Sequence, residues 1–319
     1  MRCTRLFSLF LAGAFCAPAL SAWVPTNYGQ GADAEVRESF FSNNYGASTE
    51  LATRIRNSAP QGDPGDSNDR NSLIYTRFDL TGYEMPADGK SAFRMTYRNT
   101  NMNASRVQDT VTPNPDFRTG LAVYALKTTA AGQDWIESGP GGITYATAPG
   151  INFPGDMNIG TRDLTTDLQF LGTVTFQQLG DAANNVPGAN RMAVGGELVF
   201  ESPNLDTFLT NAIAGGASTV TLVSHVIHDG SAFFQQNFGN WMNFNYLFNP
   251  KEQTTLISDP SWDADVLDPN NPVGSPWSGA SNANGEFSPS LLLKAVPEPT
   301  SAVLCLGALA GLAGVRRRG

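Results

Sequence analysis

Leu73-Ile74-Tyr75-Thr76-Arg77-Phe78-Asp79-Leu80 is the stretch that decides the fold. Its short run of aliphatic, aromatic and β-branched residues suits a pleated, packed surface and reads as a core strand. The segment before it, residues 57–72, holds Asn, Ser, Gly, Pro and Asp and almost nothing apolar, so it reads as an exposed loop. After it, Ser91 to Arg98 repeats the strand signal with Phe93, Met95 and Tyr97 on one face, and Leu121 to Lys127 continues it. Toward the N-terminus, Ala32-Asp33-Ala34-Glu35-Val36-Arg37 and Thr49 to Ile55 alternate in the same way, with Tyr45-Gly46 between them. Two early strands are expected there.

Between Glu201 and Ser224 the period changes. Ser202 precedes Pro203 as cap and first helical residue, and Leu205, Phe208, Leu209 and Ile213 recur at helical spacing until Gly215-Gly216. Thr219 to Val223 then returns to β-branched strand character. The chain's 32 glycines and 20 prolines, with only 15% charged residues, suit many short strands joined by turns. The expectation is an all-β body with one short helix, forming a single domain over residues 23–295 with long loops.

The two ends differ from this body. Arg2 and Arg5 precede an apolar run from Leu6 to Phe15 and then Ala-Pro-Ala-Leu-Ser-Ala, the three-part pattern of a secretory signal peptide over residues 1–22. Cleavage is expected after Ser21 or after Ala22. Phe15 before Cys16 argues against lipoprotein processing, which needs a small residue there. At the other end, Pro297, Glu298 and Pro299 lead into an apolar run over residues 301–315 and then Arg316, Arg317 and Arg318. At ~1.5 Å per residue that run spans about two-thirds of a ~30 Å hydrocarbon core, which is short for a permanent anchor. The arginines favour the cytoplasmic side, leaving the preceding chain outside. This order of features resembles the PEP-CTERM sorting signal over residues 296–319. The resemblance implies recognition by an exosortase-type membrane protease, tethering in the inner membrane during processing, and a final place at the cell surface or outside the cell.

Cys3 and Cys16 fall in the signal peptide and Cys305 in the tag, so the processed chain would contain no cysteine, excluding thiol catalysis and thiolate metal sites. The whole chain carries a formal charge of −9, and removing its terminal arginines makes the body more acidic still. That argues against nucleic acid as a partner. His225 and His228 with Asp229 invite a metal reading, but residues three apart on a strand point to opposite faces. No Gly-x-Ser-x-Gly, His-Glu-x-x-His or phosphate-loop pattern occurs. Asp63, Asp66 and Asp69 read as solvated turn residues.

The ordered pieces also resemble the DNRLRE family of extracellular domains. They include Ala32 to Val36, Tyr45-Gly46, Arg70-Asn71 before Tyr75 to Asp79, and Val123-Tyr124 before Asp134-Trp135-Ile136-Glu137. Ile143-Thr144-Tyr145 with Ala148-Pro149, the helix, Thr219 to Val223 and Phe287-Ser288-Pro289 with Leu291 to Leu293 complete them. The resemblance implies a jelly-roll-like sandwich, a carbohydrate-binding role, and a structural calcium held by Asp33 and Glu35 with Glu286. It places Trp135 in the core. Saccharide contact would come from aromatic rings in the loops, Trp241, Trp262 and Trp277, with Arg77 and Arg98 readable either as partners of acidic sugars or as solvent-facing strand residues. The functional expectation is an exported, non-catalytic surface or matrix protein that binds polysaccharide. A structural or adhesive protein without a saccharide site and a divergent polysaccharide-cleaving enzyme are the alternatives.

Overall fold

The computed structural model describes residues 21–57, 71–100, 119–152, 164–175, 197–228, 242–255 and 281–296. The signal-peptide residues before Ser21, the loop aspartates 63, 66 and 69, Trp241, Trp262, Trp277 and the whole sorting tag from Pro297 to Arg318 lie outside them.

Among the described residues twelve strands run in chain order: β1 (Ser21–Pro25), β2 (Ala32–Arg37), β3 (Leu51–Asn57), β4 (Ser72–Asp79), β5 (Tyr83–Glu84), β6 (Phe93–Thr100), β7 (Thr119–Leu126), β8 (Leu168–Thr175), β9 (Glu197–Phe200), β10 (Thr219–His228), β11 (Met242–Phe248) and β12 (Ser290–Ala295). The helix α1 (Pro203–Ala214) sits between β9 and β10. The fold is therefore mostly β with one short helix. No helix among the described residues is long and apolar enough to cross a membrane.

Every pairing between these strands is antiparallel, in the order β1-β12-β6-β11-β3-β4-β10-β7-β8, with β2 added on β4, β5 on β12 and β9 on β6. β6 turns the corner. Its first half pairs with β9 and β12, and its second half with β11. The sheet thereby curls, and Val24, Phe78, Phe93, Met95, Tyr97, Val123, Leu222, Phe248 and Leu293 meet in one buried core. Each fully buried side chain of this size contributes roughly 1.5–3 kcal/mol.

Alternation along β4 explains why it reads so clearly as a core strand. Ile74 and Phe78 enter the curled core, while Leu73 and Tyr75 belong to a second cluster with Val36, Trp135, Ile143, Tyr145 and Leu168. Both faces of the strand are buried, so period-two polarity is nearly absent from it. The second cluster lies under the segment joining β7 to β8, which covers a face that a bare sheet would leave to water. Tyr75 anchors that cover through a 2.8 Å hydrogen bond to the Pro149 carbonyl.

α1 closes one part of the core with Leu205, Phe208, Leu209 and Ala212. Ser202 Oγ accepts from the Leu205 N–H at 3.0 Å, as the cap pattern predicts. The helix ends where Ala217 donates to the Ala212 carbonyl at 2.9 Å across Gly216, whose φ of +74° suits glycine.

The rims of the sheet decide where the chain enters and leaves. β1 lies against β12 with Ser21 opposite Lys294 and Ala22 opposite Leu293. Side chains of Ser21 and Ala22 are exposed, and the first core residue among the described ones is Val24. At the other end Leu293 is the last core residue among those described, and the Val296 N–H donates to the Gly82 carbonyl at 2.8 Å.

Candidate functional site

β2 carries two carboxylates, Asp33 and Glu35, on the face opposite Ala32, Ala34 and Val36. Both are buried, at 1% exposure each. An alternating polar residue on a strand is ordinarily solvated, so each of these charges needs partners of its own.

Glu35 finds them in protein groups. Arg37 grips it through Nε to Oε1 at 2.5 Å and Nη2 to Oε2 at 2.9 Å, and the Ala52 N–H of β3 donates to Oε2 at 3.2 Å. Burial raises the Glu35 carboxyl above its ordinary value against the opposing pull of Arg37. The arginine in turn lies 4.2 Å from the Tyr45 ring centre. This carboxylate is a structural clasp between β2 and β3.

Asp33 is placed differently. Thr26 Oγ1 and the Lys251 N–H donate to its Oδ2, the latter at 3.3 Å, while Oδ1 is buried and accepts no hydrogen bond. Ligand-bearing atoms of Asp33, Glu137 and Glu252 all lie within 4.8 Å of one another. Glu35 and Glu286 are not in this group. Glu286 is exposed and held locally by Asn284 Nδ2 at 2.9 Å, so of the expected trio of Asp33, Glu35 and Glu286 the structure brings only Asp33 into this group, beside Glu137 and Glu252.

Glu137 comes from the cover segment between β7 and β8. Its Oε1 accepts the Asp33 N–H at 2.6 Å, and its Oε2 lies 2.6 Å from Lys251 Nζ. Asn44 Nδ2 fixes the loop by donating to the Glu137 and Ile143 carbonyls, both at 2.7 Å. Gly46 permits that approach, since a Cβ there would fall 1.8 Å from the Glu137 carbonyl oxygen. Glu252 follows β11 in the turn after Pro250. Its Oε2 is buried without a hydrogen-bond partner, and its Oε1 is 3.8 Å from Lys251 Nζ. Burial, then the neighbouring carboxylates, raise the Asp33 and Glu252 carboxyls above their ordinary values.

Beside this cluster opens a depression of about 510 Å³ lined by Gln30, Arg77, Asp134, Trp135, Ile136 and Glu137, with Ser218 and Thr219 at the start of β10. Glu137 belongs to both features. Arg77 does not extend freely into solvent: Nε donates to the Gln30 carbonyl at 2.9 Å and Nη1 to the Trp135 carbonyl at 2.6 Å, with the guanidinium 5.0 Å from the Trp135 ring centre. Trp135 is buried, as expected of a core residue, and its Nε1 donates to Thr221 Oγ1 at 3.1 Å. Gln30, Asp134 and Ser218 are exposed, and Ile136 is 52% exposed.

The remaining candidates lie elsewhere. Both histidines fall in β10, and the buried His225 ring stacks on Tyr124 at 5.6 Å. Arg98 donates to the Thr49 carbonyl at 2.6 Å. Glu137 and Glu252 escape a sequence reading because neither sits in a periodic segment, and only the fold brings residues so distant onto one strand end. No family model matches the sequence, and no curated protein matches it either.

Proposed function

We propose that the chain is an exported, non-catalytic protein of the cell surface or extracellular matrix, whose jelly-roll-like body binds neutral polysaccharide in the depression bordered by Asp134 and Glu137. The observation that carries this reading is the lining itself. Gln30, Asp134, Glu137, Ser218 and Thr219 offer donors and acceptors for hydroxyl groups, and exposed Ile136 offers an apolar contact for a sugar ring. Its volume falls in the ~300–1,000 Å³ range of small-ligand sites. Asp134 and Glu137 put two carboxylates on the lining and two of the Arg77 N–H groups are taken by carbonyls, which favours neutral over acidic sugars.

Export through a signal peptide and sorting by a PEP-CTERM tag, read by an exosortase-type protease, are part of the same proposal. At the edges of the described body, Ser21 and Ala22 on one side and Ala295 and Val296 on the other are exposed, which supports processing at these two places.

Two carboxylates border the depression, which keeps polysaccharide cleavage as the competing reading. A glycosidase requires one carboxyl to donate a proton while the other acts as base or nucleophile. Glu137 is instead bound to Lys251 and to the Asp33 N–H, an arrangement that holds it as a compensated acceptor. Binding is therefore the better reading. The test is a polysaccharide array probed with the full chain and with a Gln30→Ala/Asp134→Ala double variant. Retention of a neutral glycan that drops about tenfold or more in the variant supports the site. A blank array sinks it, and release of reducing ends would move the assignment to hydrolysis.

A further inference from the structure

Lys251 places one positive charge among several oxygens. Its Nζ is 2.6 Å from Glu137 Oε2, 3.5 Å from the Gly31 carbonyl and 3.8 Å from Glu252 Oε1. Two carboxylates thus lie within 4 Å of this single ammonium, and the Asp33 carboxylate is grouped with both. Asp33 Oδ1 and Glu252 Oε2 remain buried without any donor, and Asp33 is 1% exposed. An ammonium has three donors in fixed directions and cannot serve every oxygen of such a group.

A metal ion has no such restriction. Calcium takes six to eight oxygen ligands at ~2.3–2.6 Å, so oxygens on opposite sides of one ion stand ~4.6–5.2 Å apart. The ligand atoms of Asp33, Glu137 and Glu252 lie within 4.8 Å of one another, which is the span one ion can bridge. The Gly31 carbonyl adds a neutral oxygen of the kind calcium sites use. Lys251 is partly exposed, at 17% for its side chain, and its flexible stem allows the ammonium to withdraw toward water.

We propose that Asp33, Glu137 and Glu252 bind a divalent cation, calcium by the hardness of the donors, in exchange for the Lys251 ammonium. The ion joins β2, the cover segment and the turn after β11 at one point, and it stands independently of whether the neighbouring depression binds a saccharide. Lys251 acts as a tethered competitor, so occupancy follows the calcium concentration around the protein.

The experiment is calorimetric titration of calcium chloride into the chelator-stripped full chain, paired with thermal unfolding. Wild type is expected to bind one ion with a Kd near the ~0.1–1 mM range of extracellular calcium modules and to unfold at a higher temperature in calcium. Lys251→Met should bind at least tenfold more tightly, and Glu252→Gln at least tenfold more weakly. These opposite signs separate loss of the site from loss of the fold. Absence of binding heat and of thermal shift in both wild type and Lys251→Met up to about 10 mM calcium overturns the proposal. An unchanged response in Glu252→Gln does so as well, because the ion would then bind elsewhere.

Discussion

Glu137 Oε1 accepts the backbone N–H of Asp33 at 2.6 Å, so a loop carboxylate serves as hydrogen-bonding partner to strand β2. The same side chain binds Lys251 through its other oxygen. Glu137→Ala removes both contacts and leaves a buried strand N–H unpaired. The expected loss is about 2–4 kcal/mol of stability, measured by urea unfolding.

Gly46 depends on the same loop from the other side. A methyl group at this position meets the Glu137 carbonyl at 1.8 Å, and backbone must move to relieve it. Gly46→Ala should destabilise by about 2 kcal/mol or more and perturb amide resonances of residues 136–143 together with those near Gly46.

Glu35 is 1% exposed and holds Arg37 and the Ala52 N–H. Glu35→Ala strands the arginine beside a buried site and should cost about 3 kcal/mol. Combining it with Arg37→Met should recover part of that loss. An equal loss in the single and double variants would show that the pair is not the source.

Asp79 gives the acid limb of the stability profile. Burial opposes its charge, but the N–H groups of Gln30 and Thr81, both at 2.8 Å, and nearby Arg77 overcome that penalty and hold its carboxyl below the ordinary range. The folded state thus binds this proton more weakly than the unfolded state. Its stabilisation is present above the ordinary carboxylate value of about 4 and is lost as pH falls through the lower folded value. Asp79→Asn should flatten the decline in stability below about pH 4, seen in unfolding curves taken at successive pH.

Ser202 caps α1 and also donates to the Leu171 carbonyl at 3.0 Å, linking helix to β8. Ser202→Ala should cost about 1–2 kcal/mol. A change below the error of the measurement would show that the helix is held by Leu205, Phe208 and Leu209 alone.

The strand at Leu73 to Leu80 was legible because burial on both faces leaves a nearly uninterrupted apolar word in the sequence. Phe93, Met95 and Tyr97 were legible through their period of two, and α1 through its cap, its Pro203 and its closing glycines. Asp33 and Glu35 look like solvent-facing members of an alternating strand, yet both are buried because β3 and the cover segment supply donors. The fold gives them different surroundings. Two carboxylates on one strand face share direction, but Glu35 meets an arginine two residues away, whereas Asp33 meets groups contributed by Glu137, Lys251 and Glu252. Pairings of that range leave no local pattern. The β1–β12 partnership is likewise invisible locally, since each strand reads only as a short apolar run.

That partnership bears on the order of folding. Among the described residues β1 is the first strand and β12 the last, and the two share a ladder from Ser21–Lys294 to Pro25–Ser290. Contacts between such distant segments form late, because closing so long a loop is entropically costly before any bond rewards it. A chain emerging from its N-terminus cannot complete this rim until nearly its whole length has appeared. Until then β1 has no β12 to pair with, and Val24 lacks Leu291 and Leu293 beside it. Final closure of the sheet is thus timed by arrival of the last segment.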